Sequence, residues 1–102
     1  MHHQYGKLQE KDLPLLESVV EVFKRHGFNA GLHGTSLWNP NYKDIDLLIV
    51  GKDTAAFRKA LVEATMKCKG QIDNLKGSTE IGLDCDLKTP HAIIHISYVL
   101  FI

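Results

Sequence analysis

The sequence has few cysteines and prolines and no net charge. It contains two cysteines and three prolines among 102 residues, and its twelve basic residues balance its twelve acidic ones. Cys68 and Cys85 do not form a short metal-binding spacing, and a small secreted domain without a core usually carries more cysteines. We therefore expect two reduced thiols in a cytoplasmic protein.

Charge of one sign is not in excess. Because the formal net charge is zero, a protein whose main task is to bind nucleic acid through its phosphates is disfavoured, since that task needs a positive surface. The balance still allows a local basic rim. Nucleic acid is therefore not favoured as a partner.

Long hydrophobic runs are also missing. Residues 1–5 lack the apolar stretch of a signal peptide. The most apolar run, residues 92–102, is interrupted by His95 and Ser97, and it is too short to span a bilayer. We expect a soluble protein with no membrane partner.

The sequence does contain enough apolar residues for one core. Hydrophobic residues make up 44% of the 102 residues, which is ordinary for a globular domain. A chain of this length forms one domain and hardly more. We expect residues 1–102 to be a single domain.

The first regular pattern is an amphipathic helix. Asp12 is placed to cap it, Pro14 is tolerated in its first turn, and Gly27 is a natural stop. Between these residues, apolar side chains recur at helical spacing and form one stripe. The stripe consists of Leu15, Leu16, Val19, Val20 and Phe23.

Two strands and a second helix follow. Residues 28–33 have the pattern of a short strand, and residues 44–50 form the clearest strand of the chain. The apolar run of the latter suggests a central strand covered on both faces. The second helix is expected to be capped by Asp53 or Thr54 and to end at Gly70.

The remaining residues predict three more strands, at 71–75, 81–87 and 92–101, with a turn at Gly77 and Ser78. The order is helix, strand, strand, helix, strands. It predicts an α+β (mixed α/β) fold in which a mixed β-sheet has flanking helices.

Two carboxylates stand close together on the clearest strand. Asp44 and Asp46 are two residues apart, so their side chains share one face of a strand. Like charges held this close repel each other unless a cation lies between them, and Mg²⁺ prefers such oxygen ligands, completed by water and phosphates. The same spacing also fits a loop end followed by a lone exposed acid.

Other candidate residues surround this pair in the sequence. Gly34, Thr35 and Ser36 follow a predicted strand, where a glycine lets backbone N–H groups approach a phosphate and hydroxyls can donate to it. Asp84 and Asp86 share one face of a later strand. Three carboxylates on neighbouring strands could hold a two-metal site for phosphoryl chemistry; alternatively, Asp84 and Asp86 form the solvated face of an edge strand.

The segment His33-Gly34-Thr35-Ser36, followed by Lys43-Asp44-Ile45-Asp46-Leu47-Leu48-Ile49-Val50, resembles the signature of the nucleotidyltransferase superfamily related to DNA polymerase beta. That signature is a glycine followed by Ser or Gly, an intervening loop, and then Asp-hydrophobic-Asp-hydrophobic. The resemblance covers residues 28–50 and extends less specifically to residues 81–88.

The resemblance implies transfer of a nucleoside monophosphate from a nucleoside triphosphate to an unknown acceptor hydroxyl. It implies Mg²⁺ (or Mn²⁺) as the cofactor, with Asp44 and Asp46 as metal ligands. Gly34, with Thr35 or Ser36, would contact the β and γ phosphates.

The third acid implied by the resemblance would be Asp86, with Asp84 as the alternative, and it would help to deprotonate the acceptor. Lys43 and Lys88 flank the acids. They could steady the charge of the triphosphate, or they could form ordinary surface pairs.

The sequence also departs from the family. Thr35 stands where Ser or Gly is usual, and residues 1–102 do not supply the second, helical domain of most members. The chain resembles the small single-domain members, which often work with a separate partner protein. The alternative function is therefore a catalytically inactive module that binds a partner protein or a second copy, with the apolar segment 91–102 as the surface to be buried.

Aromatic and histidine residues complete the candidates. Trp38 and Tyr42 lie in the loop before the acids, where they could stack on a nucleobase or anchor packing. His33, His91 and His95 could in principle meet to bind zinc, but ordinary core or surface histidines are favoured.

Overall fold

Two helices and five strands make up the part of the chain that the structure describes. This computed structural model describes residues 8–34, 39–78 and 81–101. In chain order the elements are a 3-10 turn (Glu10–Asp12), α1 (Leu13–Arg25), β1 (Asn29–His33), β2 (Ile45–Gly51), α2 (Thr54–Lys67), β3 (Gln71–Ser78), β4 (Gly82–Lys88) and β5 (Ile93–Leu100). The order confirms the predicted α+β class. Neither of the described helices has the length and apolar content needed to cross a membrane.

Helix α1 presents the predicted apolar stripe to the core. Its buried residues are Leu16, Val19, Val20, Val22 and Phe23. The chain leaves the helix at Gly27, whose positive φ of 90° costs a glycine little. Asp12 occupies the N-cap position, but its side chain makes no capping hydrogen bond. The prediction that Asp12 caps the helix is wrong in this respect, because its carboxylate is engaged by Tyr42 instead.

Helix α2 begins with a side-chain cap and packs through an aromatic stack. The Asp53 carboxylate accepts the Ala56 N–H at 3.1 Å, so Asp53 is the cap. Phe57 stacks on Tyr98 of β5 with 4.2 Å between ring centroids, and on Phe23 of α1 with 5.6 Å. These rings join both helices to the sheet through a large buried apolar contact.

The sheet is mixed and has the order β1-β2-β5-β4-β3. Strands β2 and β5 are parallel, whereas the β1–β2, β4–β5 and β3–β4 pairs are antiparallel. The predicted apolar terminal strand therefore pairs on both sides within its own sheet. Its residues Ile94, Ile96 and Tyr98 are buried.

One face of the sheet is buried and the other is open. Along β2, β4 and β5, fully buried residues alternate with partly or fully exposed ones. The buried residues of both helices belong to the same core as the buried face of the sheet. The prediction that β2 is covered on both faces is wrong, because both described helices pack on one face and leave the other accessible.

Strand β3 is longer than the sequence predicts. Gly77 and Ser78 were expected in a turn, but they extend β3 and pair with β4 as far as Ser78 opposite Gly82. Gly77 takes a φ of 114°, and a Cβ there would meet the carbonyl oxygen of Gly82, so glycine permits this close approach. Because β3 forms the edge, β4 lies inside the sheet, contrary to the edge-strand alternative for Asp84 and Asp86.

Candidate functional site

Gly34 and Asp46, predicted from separate parts of the sequence motif, lie in contact. Antiparallel pairing of β1 with β2 places His33 opposite Asp46, and Gly34 follows His33 with a positive φ of 72°. A Cβ on Gly34 would lie 2.9 Å from Asp46 Cγ and 3.2 Å from Asp46 Cβ. Only a glycine fits against this carboxylate without displacement, so the backbone at Gly34 lies directly against Asp46.

The other residues of the predicted motif lie around this contact or outside the described residues. Asp44 immediately precedes β2 and is half-buried, and Lys43 is exposed. Thr35 and Ser36, the predicted phosphate-binding hydroxyls, fall outside the described residues, as does Trp38.

The segment leading into Asp44 is tied to the N-terminal side of α1. The Tyr42 hydroxyl donates to the Asp12 carboxylate at 2.5 Å and accepts the Gln9 N–H at 3.0 Å. The Gln9 side-chain amide donates to the Pro40 carbonyl at 2.6 Å. Burial, followed by the hydrogen bond to Asp12, raises the pKa of Tyr42 to about 12. Tyr42 therefore anchors the loop through its hydroxyl.

On β4, both predicted acids lie on the open face of the sheet. Asp86 accepts a hydrogen bond from Asn74 Nδ2 at 2.8 Å, and its other oxygen lies 2.8 Å from His95 Nδ1. The hydrogen bond to His95, and then that from Asn74, lowers the pKa of Asp86. Asp84 lies two residues earlier on the strand, with its carboxylate 3.8 Å from His95 Nε2.

His95, expected to be an ordinary core or surface histidine, is a functional candidate in the structure. Its register partners are Asp46 on β2 and Asp86 on β4, so the residue lies between the two predicted groups of acids. Its two ring nitrogens face Asp86 and Asp84. The hydrogen bond to Asp86 raises the pKa of His95, and the charges of Asp84 and Asp46 act in the same direction. The alternation Ile94-His95-Ile96 is the signal that could have assigned His95 to the polar face of its strand.

The expectation that the acids lie on neighbouring strands is wrong, because β5 lies between β2 and β4. Asp86 is level with Asp46 in the sheet register, whereas Asp84 is level with Ser97. Among residues 8–34, 39–78 and 81–101, no group of three or more His, Cys, Asp or Glu side chains is arranged to hold a metal ion. The zinc alternative for His33, His91 and His95 is therefore not supported there.

Lys88 has an ordinary partner on the neighbouring strand. Its ammonium group lies 2.8 Å from the Asp73 carboxylate, and this hydrogen bond raises the pKa of Lys88 and lowers that of Asp73. Both side chains are about half exposed. Lys88 thus forms a surface pair, which was one of its two predicted roles.

Comparisons with known proteins show which fold the chain has. No protein-family model matches the chain, and no curated protein matches it in sequence. Among solved structures, it is similar to the Cid1 poly(U) polymerase in a crystal structure on UTP selectivity with MgGTP bound, at a TM-score of 0.61 and 11% sequence identity. The match covers 89% of this chain and 33% of that chain, so this chain spans about a third of its length. The likeness shows that the chain has a nucleotidyltransferase-like fold.

Proposed function

We propose that this domain binds a nucleoside triphosphate together with Mg²⁺ (or Mn²⁺) and transfers a nucleoside monophosphate to an acceptor hydroxyl. The observation that carries the proposal is the contact of Gly34 with Asp46 in a nucleotidyltransferase-like fold. Gly34 has no side chain, so its backbone can approach phosphates closely. Its neighbour Asp46 is a carboxylate of the kind that binds the cation accompanying those phosphates.

The donor set of Asp44 and Asp46 fits a magnesium–nucleotide complex. Mg²⁺ is usually bound by one or two carboxylates, with water and substrate phosphates completing its octahedron. A group of three protein ligands is therefore not needed. When bound, the ion would neutralise charge that develops on the phosphates during transfer.

The chain's own residues would position the cation and the triphosphate. Asp44 and Asp46 would hold the cation at the start of β2, and the Gly34 segment would approach the β and γ phosphates, with Thr35, Ser36 and Lys43 beside them. The hydrogen bonds of Tyr42 with Asp12 and Gln9 would keep the segment before Asp44 in place. Such positioning contributes to catalysis by holding the reacting groups in line.

An amide NMR titration tests the proposal. We expect Mg²⁺ with ATP, and then with GTP, to shift the amide signals of Gly34 and of residues 44–46, and Asp46→Asn to weaken binding by about tenfold or more, which corresponds to roughly 1.4 kcal/mol. Asp73→Asn is the matched control, since Asp73 is an exposed acid of the same sheet paired with Lys88. No metal-dependent shifts in the wild-type protein at millimolar nucleotide would contradict the proposal.

A second candidate is a module of the same fold that binds a partner without turnover. The open face of the sheet supports it, because beyond the acids it carries the half-buried Leu48 and Val50 and the 46% exposed Val99. Apolar residues in a row on an open face favour association. Val99→Lys should then abolish capture of a partner or a second copy, measured by light scattering, while nucleotide shifts stay unchanged. A strict monomer that captures no partner would argue against it.

A further inference from the structure

The sheet register separates Asp46 from Asp86 by one whole strand. Asp46 of β2 is opposite His95 of β5, which is opposite Asp86 of β4. Adjacent strands are about 4.8 Å apart, so the backbones at Asp46 and Asp86 are separated by roughly 9–10 Å. For both carboxylates to share one ion, each would have to reach over β5, where His95 lies between them with its imidazole nitrogens turned toward Asp86 and Asp84.

Both oxygens of Asp86 are already engaged. One lies 2.8 Å from His95 Nδ1, and the other accepts from Asn74 Nδ2 at 2.8 Å. Asn74 lies on β3, on the side away from Asp46, and takes a φ of 54° at the point where the register shifts between Asp73 and Lys76. Ligation of an ion beside Asp46 through the oxygen that faces β5 would compete with the hydrogen bond to His95.

Asp84 offers no simpler route to a second ion. It lies two residues before Asp86 on β4, where its register partner is Ser97 rather than His95. Its carboxylate nevertheless faces the same imidazole, at 3.8 Å from Nε2. Both acids of β4 thus face His95. Because a hard cation prefers oxygen ligands over an imidazole nitrogen, His95 would be a poor ligand for a second ion between them.

Resting on the proposed function, we infer that this site binds a single divalent ion through Asp44 and Asp46, and that the His95–Asp86 pair fills the place where a second, shared ion would lie. Two-ion phosphoryl-transfer sites hold their ions about 3.5–4 Å apart between bridging carboxylates. Here Asp86, the carboxylate that would bridge, binds an imidazole instead. Asp86 is a positioning residue for His95, and Asp46 carries the ion.

Manganese stoichiometry tests the inference without any activity assay. Mn²⁺ is measured by equilibrium dialysis and by electron paramagnetic resonance in the presence of a non-hydrolysable ATP analogue, with dialysate of the same composition as the blank. Wild-type protein should hold one ion per chain with an uncoupled spectrum. Asp86→Asn should keep one ion with its dissociation constant within about twofold of wild type, and Asp46→Asn should lose it.

A gain-of-site variant makes the prediction sharper. His95→Asp replaces the imidazole by a carboxylate between Asp46 and Asp86, so it should bind a second ion and show a magnetically coupled pair. A folded His95→Asp protein, checked by circular dichroism, that still binds one ion would overturn the role given to the imidazole. Should this variant not fold, Asp86→Asn still decides.

The outcomes separate the inference from the function on which it rests. Two coupled ions in the wild-type protein, one of them lost in Asp86→Asn, would overturn the single-ion inference and leave the proposed nucleotide site standing. No protein-bound ion in the wild-type protein would overturn the proposed function, and the inference with it.

Discussion

The backbone at Gly34 lies directly against the carboxylate of Asp46, with space for a hydrogen atom but not for a methyl group. This contact joins the chain that follows β1 to the strand that carries the predicted metal ligand. It requires both the positive φ of 72° and the missing Cβ.

We expect Gly34→Ala to impair nucleotide binding more than stability. The new methyl group would push the Asp46 side chain aside and would itself be strained at a positive φ, which costs roughly 1 kcal/mol. The dissociation constant for Mg²⁺–ATP, measured by amide NMR titration, should rise by about tenfold or more.

Gly31→Ala is the matched control for this substitution. Gly31 lies on β1, and a Cβ there meets nothing within 4 Å. Its nucleotide affinity should match that of the wild-type protein. Equal losses in the two variants would show that the contact with Asp46 is not what matters.

The hydrogen bond between Tyr42 and Asp12 should be important for stability. Asp12 is 5% exposed, and Tyr42→Phe would remove its donor while keeping the ring. Leaving a buried carboxylate without this partner should lower the free energy of unfolding by about 1–3 kcal/mol. Urea denaturation at pH 7 measures the change.

Tyr98→Phe provides the comparison for Tyr42→Phe. Within the described part of the chain, the buried Tyr98 hydroxyl makes no hydrogen bond, so its removal should leave stability unchanged or slightly higher. A loss in Tyr98→Phe as large as that in Tyr42→Phe would contradict the assignment.

The His95–Asp86 pair should make stability depend on pH. The groups facing His95 are Asp86 and Asp84 on β4 and Asp46 on β2, and the hydrogen bond to Asp86 raises the pKa of His95. The stabilisation from protonated His95 is complete below its unfolded pKa of about 6.5 and is lost as pH rises through the raised folded pKa.

Asp86 limits the same stabilisation at low pH. Its pKa is lowered by His95 and Asn74, so its contribution is present above the unfolded pKa of about 3.9 and is lost as pH falls through the lowered value. His95→Asn should therefore reduce the free energy of unfolding by about 1 kcal/mol near pH 5.5, and by less near pH 9.

Urea denaturation at these two pH values measures the difference. His91→Asn is the control, because His91 is an exposed residue in the turn before β5. If His91→Asn and His95→Asn lose the same pH dependence, the pair is not responsible.

The two cysteines should differ in reactivity. Burial, followed by the charges of Asp86 and Asp84, raises the pKa of the Cys85 thiol to about 12, whereas Cys68 is half-buried with a pKa also raised by burial. Since the thiolate is the nucleophile, a thiol reagent at pH 8 should modify Cys68 first. Mass spectrometry should show Cys85 modified only as the protein unfolds, and Cys68→Ser should leave the folded protein unreactive.

Local patterns in the sequence were sufficient for the helices and for the type of sheet. The stripe containing Leu16 and Phe23 and the Asp53 cap each depend on residues a few positions apart in the sequence. Such features do not depend on which strand pairs with which.

The order of the strands could not be predicted in this way. The placement of β5 between β2 and β4 depends on packing among residues far apart in the sequence, so the separation of Asp46 from Asp86 by His95 was missed. The hydrogen bond of Asp12 was missed for the same reason. Its position at the start of α1 predicted a helix cap, but its partner Tyr42 is 30 residues away. The contact of Gly34 with Asp46 was anticipated only as proximity within a motif.

The central position of β5 also bears on how the chain folds during synthesis. The β1–β2 pair and the β3–β4 pair are each complete before β5 emerges from the ribosome, but within the described sheet only β5 hydrogen-bonds both. Until then, the buried faces of two separate hairpins would be exposed to chaperones and to other nascent chains. The pairing of β5 with both hairpins is thus a late, non-local event. We expect a slow phase in refolding when these pairs form.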